Sequence, residues 1–411
     1  MISALTLRGA LSSALFICCS TSLVFGFELD DPVPPTPRDV VIGEDAAPFD
    51  GGGAVLNEEG LDSPLDESLE ECCCDYFEFW EHRRKMADKH APAGLIGDHV
   101  HHQGEMMVEY RFMHMNMHGN RIGSRRVTAQ AALNFGQGLT PPTNVAATPT
   151  AMTMDMHMLH FMYGLTDDIT LMVMPMWSSF RMDHLRNDPF PPNAALNGLP
   201  FTTETNGFDD LVLGALWRVH KTECEDLILN LGLSIPTGDI DETTTVPNPP
   251  NPQEFPYPMR HGSGTVDLRP AVTYKKYLCC SSYGAQLSAV LPLGRNWDNY
   301  SEGAEYRING WYSQLLTEKF ALSLRVENVW RENFDGIDRD FVGVMPPPPA
   351  LISTNRSDMR GGYWLNFGYG AMYLHNGHLL NLEIVRPVYQ DVNGVQLEQD
   401  WNLFASWSKG F

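Results

Sequence analysis

The fold follows from one stretch of sequence, Leu227-Ile228-Leu229-Asn230-Leu231-Gly232-Leu233-Ser234-Ile235. Its odd-numbered positions are all aliphatic, whereas positions 230, 232 and 234 hold Asn, Gly and Ser. Successive side chains of a β-strand point to opposite faces. The stretch therefore predicts a strand with one apolar face and one small or polar face. Such strands suit a barrel with lipid outside and water inside, although a soluble β-sandwich would also alternate.

The same alternation recurs from Gly104 onward and predicts about twelve strands. Short turns join them in pairs: 153–163 with 169–182, 208–220 with 225–236, 265–277 with 282–293, 303–316 with 319–331, and 362–374 with 378–390. Long, proline-rich loops separate the pairs: 119–150, 183–206, 237–263 and 332–360. Short turns alternating with long loops are typical of outer-membrane barrels.

The end of the chain fits the same interpretation. Trp401, Leu403, Ala405 and Trp407 fall on one strand face, and Phe411 is the terminal residue. A final strand that ends in an aromatic residue resembles the signal by which the barrel assembly machinery recognises outer-membrane proteins. We therefore predict an all-β, antiparallel transmembrane β-barrel of about 12 strands over residues 104–411, located in the outer membrane with lipid around it.

The residues before the barrel divide into three parts. Residues 1–26 have one charge, an apolar run and small residues before an acidic stretch, which predicts a secretory signal peptide. Residues 27–75 hold much of the net charge of −23 and predict a disordered acidic leader, which argues against nucleic acid as a partner. Residues 76–103 predict a short helical, His-rich periplasmic segment that acts as a plug, a membrane-surface anchor or a spacer.

Three turn motifs carry a resemblance to a known family. They are Gly164-Leu165-Thr166-Asp167, Gly207-Phe208-Asp209-Asp210-Leu211 and Leu233-Ser234-Ile235-Pro236-Thr237-Gly238-Asp239. With them, residues 100–411 resemble the outer-membrane transporters grouped as phenol-degradation meta-pathway proteins. Phe208 and Asp209 depart from the Gly-Leu-Gly-Asp that the family favours there. The resemblance implies a porin-like channel for small, hydrophobic compounds.

Charged residues at the inward positions of the strands predict either a constriction in an open pore or a paired network filling a closed barrel. The candidates are Glu105, Glu109, Arg111, Asp267, Arg269, Glu305, Arg307, Arg325, Glu327 and Glu383. A barrel of about 12 strands lies between packed and open barrels, so a narrow or plugged lumen is expected.

Methionine is concentrated in one region, with 14 of the 20 residues between Met106 and Met182. Alternation places many of them, together with one histidine, inside the lumen: Met113, Met115, Met154, Met156, Met158, His160, Met172 and Met174. Thioether and imidazole ligands suit soft ions such as Cu(I). The alternative interpretation is that methionine fills an irregular, apolar interior.

Histidine also clusters just before the first strand, at His99, His101 and His102. With Asp98 these residues could collect Cu(II) or Zn(II), or they could be solvated imidazoles of a polar loop. We predict no cofactor unless one of these clusters holds copper.

Two functions compete with small-molecule transport and metal handling. An outer-membrane hydrolase needs an activated nucleophile, but the chain has no Gly-x-Ser-x-Gly and no His-Glu-x-x-His. A structural envelope protein would have a barrel filled by paired charges and would not conduct. We therefore predict a non-enzymatic transporter of small compounds.

Overall fold

The computed structural model describes residues 82–135, 147–187, 198–245, 252–342 and 352–411. The predicted signal peptide 1–26 and acidic leader 27–75 lie outside the described residues. The barrel strands that end at short turns are β1 (Met106–Gly123), β3 (Ala147–Thr166), β4 (Ile169–Met174), β7 (Leu211–Lys221), β8 (Glu225–Ile235), β11 (Asp267–Tyr277), β12 (Ser281–Pro292), β14 (Glu305–Thr317), β15 (Phe320–Arg331), β17 (Gly362–His375) and β18 (His378–Gly410).

Most of the smaller elements lie at the other end of the strands, whereas the 3-10 turn Ala87–Lys89 lies near the short turns. The smaller elements are β2 (Arg125–Val127), α1 (Ala129–Phe135), β5 (Met176–Arg186), β6 (Pro200–Phe208), β9 (Thr243–Thr245), β10 (Pro252–Glu254), β13 (Tyr300–Ser301), β16 (Asp335–Gly336) and α2 (Arg339–Val342), with 3-10 turns at Ala87–Lys89, Tyr257–Met259, Ser353–Asn355 and Ser357–Met359. No helix among the described residues is long and apolar enough to cross a membrane.

The strands close into a ring. The order is β1-β18-β17-β15-β14-β12-β11-β8-β7-β4-β3, and β3 pairs back with β1. All pairings in this ring are antiparallel. Strand β18 counts twice, because residues up to Val392 pair with β17 and those beyond it pair with β1. The wall therefore has about twelve crossings, and the predicted transmembrane β-barrel is confirmed.

The two faces of the wall differ as the alternation predicts. On β8, Leu231 is 60% exposed on the outside, whereas Ser234 is 1% exposed and Ile228 lies buried on the inside. Exposed aliphatic and aromatic side chains recur at alternate positions of the other strands. Since lipid replaces water around such a surface, the apolar face contacts the membrane.

Exposed aromatic side chains lie toward both ends of the apolar face. On β14, Tyr312 lies opposite Tyr283 near the short turns, and Tyr306 lies opposite Trp330 near the long loops. Six residues of strand separate the two tyrosines, a distance of about 20 Å at about 3.3 Å per residue. Because the strands of such barrels tilt by about 40°, the two tyrosines lie about 15 Å apart across the membrane, within an apolar band of about 25 Å.

The predicted loop bounds 119–150 and 183–206 are wrong, because strand structure continues into both. Strand β1 extends to Gly123, β3 begins at Ala147, and β5 and β6 continue their neighbours past the membrane band. These extensions carry polar residues on both faces, as with the neighbouring Asp183 and His184 of β5. Outside lipid an apolar face is unnecessary, so the alternation that reveals a strand disappears there.

Candidate functional site

A segment inside the barrel forms the candidate site. Residues 82–103, which we call the plug, begin at the short turns, rise into the lumen and return to the same end before β1. Their only helical features are a short turn at His82 and the 3-10 turn Ala87–Lys89; the rest is extended or irregular. The structure thus places the described part of the predicted helical, periplasmic segment 76–103 within the lumen.

Arg83 anchors the plug at the short-turn end. Its guanidinium donates two hydrogen bonds of 2.7 Å to Asp88 and bonds of 2.6 Å each to the carbonyls of Leu278 and Ser281. The side chains of Arg83 and Asp88 are both completely buried. A bidentate pair that also satisfies two turn carbonyls is a strong contact with a fixed geometry.

The plug then makes hydrogen bonds to several sides of the wall. Gly94 N donates to Glu383 Oε2 of β18 at 2.7 Å. The carbonyl of Leu95 accepts from Arg111 of β1 at 2.8 Å, and that of Ile96 accepts from Gln286 of β12 at 2.8 Å. Strands β1 and β12 lie on opposite sides of the ring, so the plug spans the lumen.

The plug leaves the barrel beside the first of the three turn motifs. Gly104 N donates to Gly164 O, and Gly164 N donates to Glu105 O, each at 2.9 Å. A Cβ atom at position 164 would overlap the carbonyl of His102. Glycine is therefore required at this motif position, where two backbones touch.

Alternating charges line the wall above Gly94 and form what we call the charge ladder: Glu383, Arg325, Glu327, Arg307, Glu305 and Arg331. Arg325 Nε donates to Glu383 at 2.7 Å and Nη1 donates to Glu327 at 3.2 Å. Arg307 donates to Glu327 at 3.1 Å and to Glu305 at 2.6 Å. Arg331 also donates to Glu305, at 2.8 Å. Because every charge has a partner, burial of the ladder is tolerated.

The other predicted lumen residues are placed differently. Glu109 and Arg111 form a buried pair at 2.8 Å. Asp267 is buried and accepts hydrogen bonds from Ser263 and Thr265 in the long-loop region. Arg269 is half-buried, and Glu105 lies exposed at the mouth, where it accepts from His102 N at 3.0 Å.

The methionines form two apolar clusters on the inner wall. Met158, Met172 and Met174 pack with Leu216 and Ile228, and the plug residues Ile96 and Val100 pack against this cluster together with Met113 and Met156. Nearer the long loops, Met152 and Met182 pack with Phe255 and Met259, and Met117 and Met154 border this second cluster. Met115 is half-buried opposite Met154.

His160 lies among these methionines but contacts a carboxylate. Its Nδ1 is 3.7 Å from Glu109 Oε2, and its buried Nε2 has no hydrogen-bond partner among the described residues. Aliphatic side chains are mixed throughout the methionine clusters, so these clusters have the composition of an apolar lining.

The histidines of the plug are brought together only in part. His99 lies 3.0 Å from His90, measured between the Nδ1 atoms, and 2.8 Å from Asp98 Oδ1. The ring of His101 lies 5.0 Å from that of His99. His102 turns away, remains exposed and contacts Asp167 at 3.3 Å.

The charge states of this group follow from burial and its neighbours. Burial, with the neighbouring His99 and Lys89, holds the pKa of His90 well below its usual value. Burial also lowers the pKa of His101 to about 3. For Asp98 burial alone would raise the pKa, but His99 and Lys275 outweigh it and hold the pKa well below its usual value. Near neutral pH His90 and His101 are therefore neutral and Asp98 is anionic.

A second polar cluster, at the long-loop end, contains a serine and a histidine. Ser178 Oγ is 2.9 Å from His261 Nδ1 and donates to Asp209 Oδ1 at 3.0 Å. Ser178 has no exposed surface and His261 is 1% exposed. A nucleophilic serine must be accessible to its substrate, and Ser178 is not. The hydrogen bonds of this cluster instead attach the loop after β8 to the wall.

Several residues that form the plug or contact it were not predicted from the sequence. Lys275 and Gln286 occupy inward positions of β11 and β12, and strand alternation alone could have identified them. Arg83, Asp88 and His90 stand in an irregular segment with no period. Their roles depend on the path of the plug, which no local pattern indicates.

Part of the chain matches a known protein family. A family model described as "Putative MetA-pathway of phenol degradation" matches residues 176–342, from β5 to α2. The predicted resemblance is confirmed. The match includes two of the three turn motifs quoted above, and a search of curated proteins found no match.

Solved barrels are similar at low identity. An outer-membrane channel from Pseudomonas putida F1 is 13% identical with a TM-score of 0.49, over 76% of this chain and 98% of that one. The β-domain of the Bordetella autotransporter BrkA is 10% identical with a TM-score of 0.40, over 75% and 100%. The Pseudomonas putida toluene transporter TodX is 10% identical with a TM-score of 0.33, over 74% and 89%.

Proposed function

We propose that the protein is an outer-membrane channel for small, apolar compounds, closed at the short-turn end by its own plug. The observation that carries the proposal is an apolar inner wall, rich in methionine, in direct contact with a plug that spans the lumen. Methionine is flexible and polarizable, and it adapts to apolar molecules of different shapes. The family match, named for phenol degradation, agrees with a small aromatic cargo.

The orientation in the membrane is part of the proposal. In outer-membrane barrels the short turns face the periplasm and the long loops face outward. The plug would then enter from the periplasmic side, as expected for the part of the chain that precedes the barrel. Cargo would pass from the long-loop end along the methionine lining to the plug.

The test compares ion conductance in planar bilayers before and after the plug is loosened. Replacing both members of its buried anchor, Arg83→Ala with Asp88→Ala, removes the contacts to the turn carbonyls and leaves no charge unpaired. We expect wild-type barrels to be mostly closed and the double variant to open. The matched control is Arg181→Ala with Glu204→Ala, an ion pair whose side chains are both more than half exposed.

Cargo class is tested on the loosened barrel with toluene as the probe. Binding of toluene to the methionine lining should reduce the ion current, and Met158→Gln with Met172→Gln, both in the cluster that packs against the plug, should weaken this block. A loosened barrel that inserts but never conducts would contradict the channel. Equal block by toluene in the loosened barrel with and without the two Met→Gln substitutions would contradict the apolar lining.

A further inference from the structure

The plug contains a group of side chains whose donor atoms converge on one point. His90 Nδ1, His99 Nδ1 and an oxygen of Asp98 all lie within 4.8 Å of one another. The two imidazole nitrogens are 3.0 Å apart, and Asp98 Oδ1 is 2.8 Å from His99 Nδ1. We propose that His90, Asp98 and His99 form a Zn²⁺ site that closes the plug into a loop.

The spacing suits a zinc ion after a small expansion. Zinc binds imidazole nitrogen and carboxylate oxygen at about 2.0–2.2 Å in a tetrahedron, which separates neighbouring donor atoms by about 3.3 Å. The observed distances of 3.0 Å and 2.8 Å are a few tenths of an ångström shorter. Side-chain rotations of that size are within the reach of half-buried rings.

Hydrogen bonding alone satisfies this group poorly. A neutral His99 has one N–H, yet its Nδ1 faces both His90 Nδ1 and Asp98 Oδ1. If the proton is on Nε2 instead, a lone pair faces the carboxylate, and Nε2 is buried without a partner among the described residues. A cation at the common point would bind both Nδ1 lone pairs and the carboxylate together.

The second oxygen of Asp98 is already engaged. Asp98 Oδ2 accepts from Ala91 N at 2.6 Å and from Lys275 Nζ at 3.3 Å. These bonds orient the carboxylate so that Oδ1 faces the imidazoles, as outer-shell partners do in metal sites. The charge of Lys275 opposes a cation and limits the affinity of the site.

An ion can reach the group from outside. A cavity of about 800 Å³ at the short-turn end is lined by His90, His99 and His101. A catalytic or exchangeable zinc keeps one position for water or another ligand. His101, whose Nε2 is buried without a partner among the described residues, lies beside His99 and offers a further donor.

Zinc binding by the purified, tag-free mature protein in detergent is the direct test. Titration calorimetry with zinc chloride should give one ion per chain, and His90→Gln or His99→Gln should weaken binding about tenfold or more. His102→Gln is the matched control, because His102 belongs to the same segment but is exposed and bound to Asp167. Equal binding by all four proteins, or none by any, would overturn the site.

Cobalt spectroscopy of the wild-type protein gives a result that does not depend on whether a variant folds. Co²⁺ in a tetrahedral nitrogen and oxygen site absorbs far more strongly in the visible range than hydrated Co²⁺. We expect the strong absorption to appear with cobalt and disappear when zinc is added. Absorption no stronger than that of the free ion would contradict the site, whether or not the barrel conducts.

Discussion

At the scale of one residue, Glu383 connects the plug to the charge ladder. Its substitution therefore tests how much these contacts stabilise the barrel. Its carboxylate binds Arg325 twice and accepts from Gly94 N, and none of its surface is exposed. Glu383→Gln would leave the buried Arg325 charge poorly compensated, which costs about 3–5 kcal/mol. We expect that loss in the free energy of unfolding, measured by guanidinium denaturation in detergent micelles.

Glu204→Gln is the control for that measurement, because Glu204 pairs with Arg181 on the exposed face. Surface pairs contribute at most about 1 kcal/mol. The double variant Glu383→Leu with Arg325→Met should recover much of the stability, since an apolar pair needs no compensation. Equal losses in Glu383→Gln and Glu204→Gln would mean that the ladder does not stabilise the barrel.

Strand alternation predicted that Arg325, Glu327 and Glu383 face inward, because a period of two is a local property of the sequence. It could not predict that Arg325 binds Glu383 and Glu327 at once. Glu327 is two residues away on the same strand, but Glu383 lies on β18, whose proximity to β15 depends on the order of strands in the ring. His90 escaped prediction for a similar reason, since only the path of the plug brings it to His99.

At the scale of elements, the loop between β8 and β11 should respond to pH through Glu254 at the end of β10. Burial raises the pKa of Glu254 to about 8, Asp340 and Asp338 add to the rise, and Arg260 opposes it only in part. Unfolded chains ionise this carboxyl near its ordinary pKa of 4.5. Between about pH 4.5 and 8, Glu254 is therefore ionised in the unfolded chain but still protonated in the folded loop. The free energy of unfolding of the loop falls as pH rises through this range.

Hydrogen exchange of the Phe255 amide, which donates to Glu242 O at 3.1 Å, reports this loop. Corrected for the intrinsic pH dependence, its protection should be greatest below about pH 4.5 and decrease toward pH 8. Glu254→Gln should flatten the profile, because the amide cannot ionise. Glu332→Gln, an exposed carboxyl of another loop, should leave it unchanged; a slope retained in Glu254→Gln would assign the effect to another group.

For the molecule as a whole, the backbone of Phe411 takes part in the pairing of β18 with β1, whereas its side chain lies outside the barrel. Phe411 N donates to Met106 O at 2.8 Å, and Met106 N donates to Phe411 O at 3.2 Å. The aromatic ring is 66% exposed. Terminal recognition by the barrel assembly machinery, proposed from the sequence, would explain an aromatic side chain that contributes little to packing.

Phe411→Ala separates folding from assembly. Because the backbone bonds remain, we expect the refolded variant to unfold at nearly the wild-type temperature, while the amount of barrel in the outer membrane of cells falls several-fold. Phe208→Ala is the matched control, since Phe208 is 63% exposed near the opposite, long-loop end of the wall. Loss of an aromatic contact with lipid affects both variants alike, whereas recognition of the terminus affects only Phe411. Equal amounts of the two variants in the membrane would therefore leave Phe411 with no role in assembly beyond that of any lipid-facing aromatic residue.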